Sequence, residues 1–184
     1  MAILPITIYG DKILKEKTKS VNNVDGNTIE LLQNMFETMH NANGIGLAAN
    51  QVGIDKSIFI VDLSLSEGYE KYKPIVFINP KITLYSDEKS VIEEGCLSLP
   101  NLRADVERAS EIKIQYLDTD ENIQELEASE LLARVILHEY DHLLGKMIPD
   151  RVGDDIKQKL KNELASIKER KVKIDYPITT NKKL

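Results

Sequence analysis

Apolar positions recur at helical intervals in three stretches of the chain and alternate in the region between the first two. Ile29, Leu32, Met35, Phe36 and Met39 share one helix face. Asn27 precedes them as an N-cap and Glu30 follows at capping-box spacing, so a first helix is predicted from Asn27 to about Asn43-Gly44. A second is predicted from about Ser129 to Leu144, with Leu131, Leu132, Val135 and Ile136 ahead of two histidines and Gly145 ending it. A third, roughly residues 153–171, sets Ile156, Leu160, Leu164 and Ile167 on one stripe. Asp154-Asp155 open it and Lys168, Arg170 and Lys171 close it, as the helix dipole prefers. Between the first two helices, Ser57–Leu63, Pro74–Asn79, Ser90–Ile92, Arg103–Val106 and Glu111–Tyr116 are β-branched or alternating runs bounded by Asp, Pro, Gly and Asn. Strands grouped together and helices held apart from them predict an α+β fold.

Nothing in the chain marks a second domain. There is no internal repeat, low-complexity tract or linker, and 184 residues suit one domain, 1–184. Charge divides it: residues 151–184 carry ten Lys/Arg against five Asp/Glu, a balance of +5, which leaves −11 on residues 1–150 of the total −6. The expected layout is thus an acidic body with a C-terminal helix and basic tail. A hydrophobic share of 42% with 29% charged residues is ordinary globular composition. No apolar run approaches the roughly 20 residues needed to span a bilayer. The opening residues Met1–Ile6 lack a basic region followed by an apolar one, so no secretory signal is expected. One cysteine, Cys96, excludes an internal disulfide and suits a reducing compartment, so the cytoplasm is the expected location. Neither DNA nor a membrane is an expected partner.

The second helix carries His138-Glu139-Tyr140-Asp141-His142. Histidines four residues apart lie on one helix face, so both imidazoles reach a single metal ion. With only three histidines in the chain, a shuffled sequence would contain about 0.003 such patterns. Glu139 sits about a quarter turn away, beside the metal, where a general base belongs. Alone it would read as a surface carboxylate. Asp141 is either a group that orients the neighbourhood of His142 or an ordinary ion-pair partner.

A catalytic site usually has three protein ligands and one open position. His40 closes the first helix, where a histidine needs no metal to explain it. Cys96 lies in Glu93-Glu94-Gly95-Cys96-Leu97-Ser98-Leu99-Pro100, and on spacing alone it is equally a third ligand or a small buried hydrophobe. The segment Gly44-Ile45-Gly46-Leu47-Ala48-Ala49-Asn50-Gln51 permits close backbone approach and ends in an amide donor. It follows a helix and lacks a P-loop lysine, so as a phosphate signal it is weak; the plain reading is a tight turn feeding a buried strand.

Taken in order, Gly44–Gln51, Glu94–Ser98 and His138–His142 resemble the three motifs of the peptide deformylases. The resemblance extends to Ile8-Tyr9-Gly10-Asp11 and covers roughly residues 3–150. It implies the fold of that family, with antiparallel or mixed strands around a central metal-binding helix and helices near both ends. It implies Cys96, His138 and His142 as ligands of one divalent metal and Glu139 as catalytic carboxylate. Gln51 and the backbone N–H of Leu97 then stabilise the oxyanion. Fe²⁺ is the metal the resemblance favours, while thiolate and imidazole donors also suit Zn²⁺, Ni²⁺ and Co²⁺. The implied activity is hydrolysis of the N-formyl group from the first methionine of nascent proteins, releasing formate.

The chain departs from the family where Leu137 stands in place of a common glutamine and where Ser64–Lys73 forms a modest polar insertion. Leu131 and Val135, on the His138 face, with Ile45 and Ile92, are candidates to line an apolar slot for methionine; plain core suits at least two of them as well. Gly46 offers main-chain hydrogen bonds to an extended peptide. The enzymatic rival is a zinc endopeptidase of the H-E-x-x-H type, which leaves Cys96 and Gly44–Gln51 unexplained. The third helix and the basic end at residues 168–183 are a candidate ribosome contact.

Overall fold

The computed structural model describes residues 1–180. Seven strands and three helices follow in the order α1 (Gly26–Asn41), β1 (Gly46–Ala48), β2 (Ile58–Val61), β3 (Ile75–Tyr85), β4 (Lys89–Cys96), β5 (Leu99–Ala109), β6 (Glu111–Leu117), β7 (Ile123–Ser129), α2 (Glu130–Leu143) and α3 (Asp154–Lys168). Five strands form one sheet in the order β1-β2-β3-β6-β7, and β4 and β5 form a separate two-stranded ribbon. Among the described residues every strand pairing is antiparallel, and one isolated parallel bridge joins Ile6 to Ile178. The fold is α+β, as the grouping of strands predicts.

Helix α2 lies against the sheet. Leu132, Val135 and Ile136 meet Phe59, Phe77, Ile112 and Ile114 in a shared core, with Leu137 buried among them. Helix α1 covers another part of the sheet through Leu32, Met35 and Met39, which meet Leu47, Ile58, Ile60 and Ile78. The stripe of α3 packs on β5: Leu160, Leu164 and Ile167 are buried with Leu99, Leu102, Val106, Ile8 and Leu14. These clusters fix α2 between the sheet and the β4–β5 ribbon, and that placement creates the site.

Several boundaries differ from those expected. The N-cap of α1 is Asp25, not Asn27: its carboxylate accepts from the Thr28 N–H at 2.8 Å, so the cap lies two residues earlier while the apolar face of the helix is unchanged. Strand β3 runs through Pro80 to Tyr85, where a proline-terminated strand was expected. Asn79 adopts φ 49° at a bulge, and its side chain exchanges two 2.8 Å hydrogen bonds with the main chain of Val21, so the strand resumes beyond the irregularity. Strand β7 is not apparent in the hydropathy pattern because Gln124, Glu125 and Glu127 look unlike a strand; it is a sheet edge, where charged residues facing water are at home. Gly46–Ala48 is itself the short strand β1, followed by a 3₁₀ turn over Ala49–Val52. Among the described residues no helix is long and apolar enough to cross a membrane.

Candidate active site

Helix α2 presents His138 and His142 one turn apart, with ring centroids 5.1 Å from each other at 69°. The ribbon brings Cys96, the last residue of β4, to the same point, its Sγ 3.2 Å from His142 Nε2. One ligand atom from each of the three residues lies within 4.8 Å of the others. Metal–sulfur and metal–nitrogen bonds of about 2.3 and 2.0 Å at tetrahedral angles set neighbouring donors roughly 3.5 Å apart, so this trio fits one ion. His40 stands elsewhere, its Nε2 2.8 Å from Asp62.

A buried layer of charge holds the histidines. Glu94 places one carboxylate oxygen 2.9 Å from His138 Nδ1 and pairs with Arg108 at 2.6 Å and Arg134 at 2.9 Å. Burial alone would raise the Glu94 carboxyl, but the hydrogen bonds from His138 and Arg108 outweigh it and hold the group far below its ordinary range. Burial also disfavours charge on His138, yet the sulfur of Cys96 and the carboxylate of Glu94 keep its imidazole well above the usual value. His142, buried next to that charge and with Nδ1 lacking any hydrogen-bond partner, is held well below. Asp141 does not orient His142. Its carboxylate takes Arg108 at 2.6 Å and Arg151, so it is an ion-pair partner. Such a network specifies geometry more than it adds stability, because each charge gives up its hydration.

Glu139 is 4% exposed and its Oε2 has no hydrogen-bond partner. Burial pushes its carboxyl up to about 7, against the opposing pull of His138 and Arg108. Its Oε1 leaves no room for a side chain at Gly46, where a Cβ would stand 2.5 Å from that oxygen and 2.8 Å from Val135 Cγ1. Gln51 accepts from the Ala48 N–H at 2.8 Å, and its amide nitrogen faces Ser98 Oγ at 3.1 Å and Cys96 Sγ at 3.6 Å.

A cavity of about 570 Å³ opens over these groups. Ile45, Gly46, Ile92, Leu131 and Val135 all line it, as do Gln51, Cys96, Leu97, His138 and Glu139. Leu137 points into the core and none of residues 64–73 lines the cavity, so neither departure from the family pattern touches its wall. Residues Lys173–Tyr176 also line it, which the sequence did not suggest. Arg134 and the role of Glu94 had a signal: Arg134 is one turn before His138, and Glu94 is two residues before Cys96 on the same strand. Arg108 had none, since its place follows only from the ribbon register that sets it opposite Ser90.

The sequence model of the family described as polypeptide deformylase matches residues 3–158. The chain belongs to this family. It is 44% identical over 176 residues to the peptide deformylase of Chlorobium phaeovibrioides, covering 96% of this chain and 92% of that one. With the peptide deformylase of Salinibacter ruber the identity is 42%, over 97% and 95%. The crystal structure of the Ehrlichia chaffeensis peptide deformylase in complex with actinonin superposes with a TM-score of 0.85 at 37% identity, over 94% of this chain and 100% of that one. Like other peptide deformylases, the chain is a metal-dependent hydrolase that removes the N-formyl group of nascent peptides, and no comparison supports the zinc endopeptidase.

Proposed function

We propose that Cys96, His138 and His142 hold one divalent metal ion and that Glu139, Gln51 and the Leu97 N–H conduct deformylation beside it. The observation that carries this reading is the convergence of one sulfur and two imidazole nitrogens within 4.8 Å, next to a buried carboxylate oxygen without a partner. When bound, such an ion supplies Lewis acidity and makes a water acidic enough to attack near neutral pH.

Glu139 takes the proton of the attacking water and delivers it to the amine as the formyl C–N bond breaks, so that formate and a free α-amino group result. Burial raises its carboxyl above the ordinary carboxylate range, which suits it both to taking the proton and to giving it up. The carbonyl oxygen gains negative charge during attack. The Gln51 amide and the Leu97 N–H are the donors for it, and each such donor is typically worth about 10²–10³ in rate. A thiolate ligand donates more charge than a third imidazole, which weakens the Lewis acid and raises the demand on Glu139. Ile45, Ile92, Leu131 and Val135 supply an apolar slot for the methionine side chain, and the Gly46 main chain is free to bond an extended peptide.

Fe²⁺ is the metal favoured by the family resemblance; the donor set accepts Zn²⁺, Ni²⁺ and Co²⁺ as well. The chain acts as a single catalytic domain in the cytoplasm, in keeping with its one unpaired cysteine. Contact with the ribosome falls to the outer face of α3, where Lys157, Lys159, Lys161 and Lys168 are exposed while the apolar stripe is engaged on β5. Residues 181–183 of the basic end lie outside the described residues. Co-sedimentation with ribosomes that weakens steeply with salt is the expected behaviour, and salt-independent or absent binding removes this contact.

Anaerobically purified protein is expected to release formate from a formyl-methionyl peptide while leaving casein intact. Glu139→Ala should keep the metal and lose turnover. Unchanged turnover in that variant would overturn the assignment.

A further inference from the structure

The chain beyond α3 returns to the active site. From Val172 to Ile178 it runs irregularly, with bends at Val172, Asp175 and Tyr176; Val172, Ile174, Tyr176 and Ile178 are half-buried and Lys173, Asp175 and Pro177 exposed. It is fastened at both ends of this run. Asn101 Nδ2 donates to the Lys173 carbonyl at 3.0 Å. Ile6 N–H donates to the Pro177 carbonyl at 2.9 Å, and Thr179 N–H donates to the Ile6 carbonyl at 2.9 Å. Asp11 adds a polar lock: its carboxylate accepts from Arg170 Nη2 and from Thr179 Oγ1, both at 2.5 Å. Between these fastenings the Tyr176 hydroxyl donates to the Leu97 carbonyl at 2.7 Å.

That carbonyl belongs to an unusual turn. Cys96 pairs with Leu99, so Leu97 and Ser98 form a two-residue connection between β4 and β5. Two-residue hairpins are normally built from glycine or asparagine at positive φ, which matches the twist of the strands. Neither Leu97 nor Ser98 adopts positive φ, and the ribbon register shifts next to the turn. Its geometry is therefore held from outside. Three contacts do so: Tyr9 N–H on the Ser98 carbonyl at 2.9 Å, Gln51 Nε2 on Ser98 Oγ at 3.1 Å, and Tyr176 on Leu97.

We propose that Lys173–Tyr176 is a wall of the substrate cleft and that Tyr176 is a positioning residue, fixing the Leu97-Ser98 turn and through it the Leu97 N–H. The inference rests on the assignment of that N–H to the oxyanion. Fixing a donor before reaction matters because it is then aimed at charge that exists only in the transition state. Loosening it lowers kcat with little effect on binding of the ground state.

The test is full-length Tyr176→Phe, which keeps the ring and removes the hydroxyl, assayed with formyl-Met-Ala-Ser. The expected result is a kcat lower by about tenfold, less than the loss of a direct donor. KM should stay within about twofold. Melting temperature, metal content and calorimetric binding of the product Met-Ala-Ser should match the parent. Asp11→Asn, which weakens the lock without touching the cleft, should lower the same constant. Parent-like kcat in Tyr176→Phe overturns the inference, and so does a fall in kcat that tracks lost metal or lost thermal stability. Should Tyr176→Phe fail to fold, parent-like kcat in Asp11→Asn overturns it. An inactive parent enzyme would instead strike the deformylase assignment itself.

Discussion

Glu94 accepts a hydrogen bond from Nδ1 of His138 at 2.9 Å, which leaves Nε2 as the nitrogen turned toward Cys96 and His142. The carboxylate thereby fixes both the ring orientation and the tautomer, and two arginines fix the carboxylate. Glu94→Gln keeps the shape and removes the charge. Loss of such an orienting partner typically costs about 10–100-fold in metal affinity. Chelator competition on parent and variant should show that drop, and equal affinities would mean that the network only packs the protein.

Gly46 and Glu139 share space that admits no methyl group. In Gly46→Ala the new Cβ would begin 2.5 Å from Glu139 Oε1 and 2.8 Å from Val135 Cγ1. Overpacking of this kind costs about 1–3 kcal/mol. The displaced carboxylate should also lower kcat by more than about tenfold at full metal content. Thermal melts and steady-state kinetics on the same sample check both, and parent-like turnover would show that Glu139 does not need its position.

The paired imidazoles were legible because helix periodicity alone puts residues 138 and 142 on one face. Cys96 was legible only through the family motifs, since its approach depends on where the β4–β5 ribbon lies against α2. The same reason hid Arg108, whose neighbours Glu94 and Asp141 are 14 and 33 residues away in sequence. Strand β7 was masked by its glutamates, which serve an edge. The extension of β3 past Pro80 was masked because a side-chain clasp on Val21, invisible in a local reading, supports the bulge at Asn79. Tyr176 had no local signal either. Its segment alternates like a strand but pairs through one bridge to Ile6, a contact set by tertiary packing.

Asp62 connects α1 to the sheet and gives a pH dependence remote from the metal ligands. It is 5% exposed, accepts from the Ser64 N–H at 2.9 Å and faces His40 Nε2 at 2.8 Å. Burial would raise its carboxyl, but the bonds from Ser64 and His40 outweigh it, so its folded pKa lies below the ordinary value of 3.8. A depressed carboxyl contributes stability that is fully present above its unfolded pKa and is lost as pH falls through the folded one. Asp62→Asn should therefore melt below the parent at pH 6, with the gap closing only below about pH 3.8. Chelated samples throughout keep metal loss out of the comparison. A gap that does not change with pH would assign the contribution to packing.

Cobalt substitution reports most directly on whether a sulfur and two imidazoles meet at one ion. A cobalt-loaded sample is predicted to hold one Co²⁺ per chain, to show thiolate-to-metal charge-transfer absorption that disappears in Cys96→Ser, and to release formate from a formyl-methionyl peptide. Cobalt bound without that absorption, or with the same spectrum in Cys96→Ser, would contradict the account.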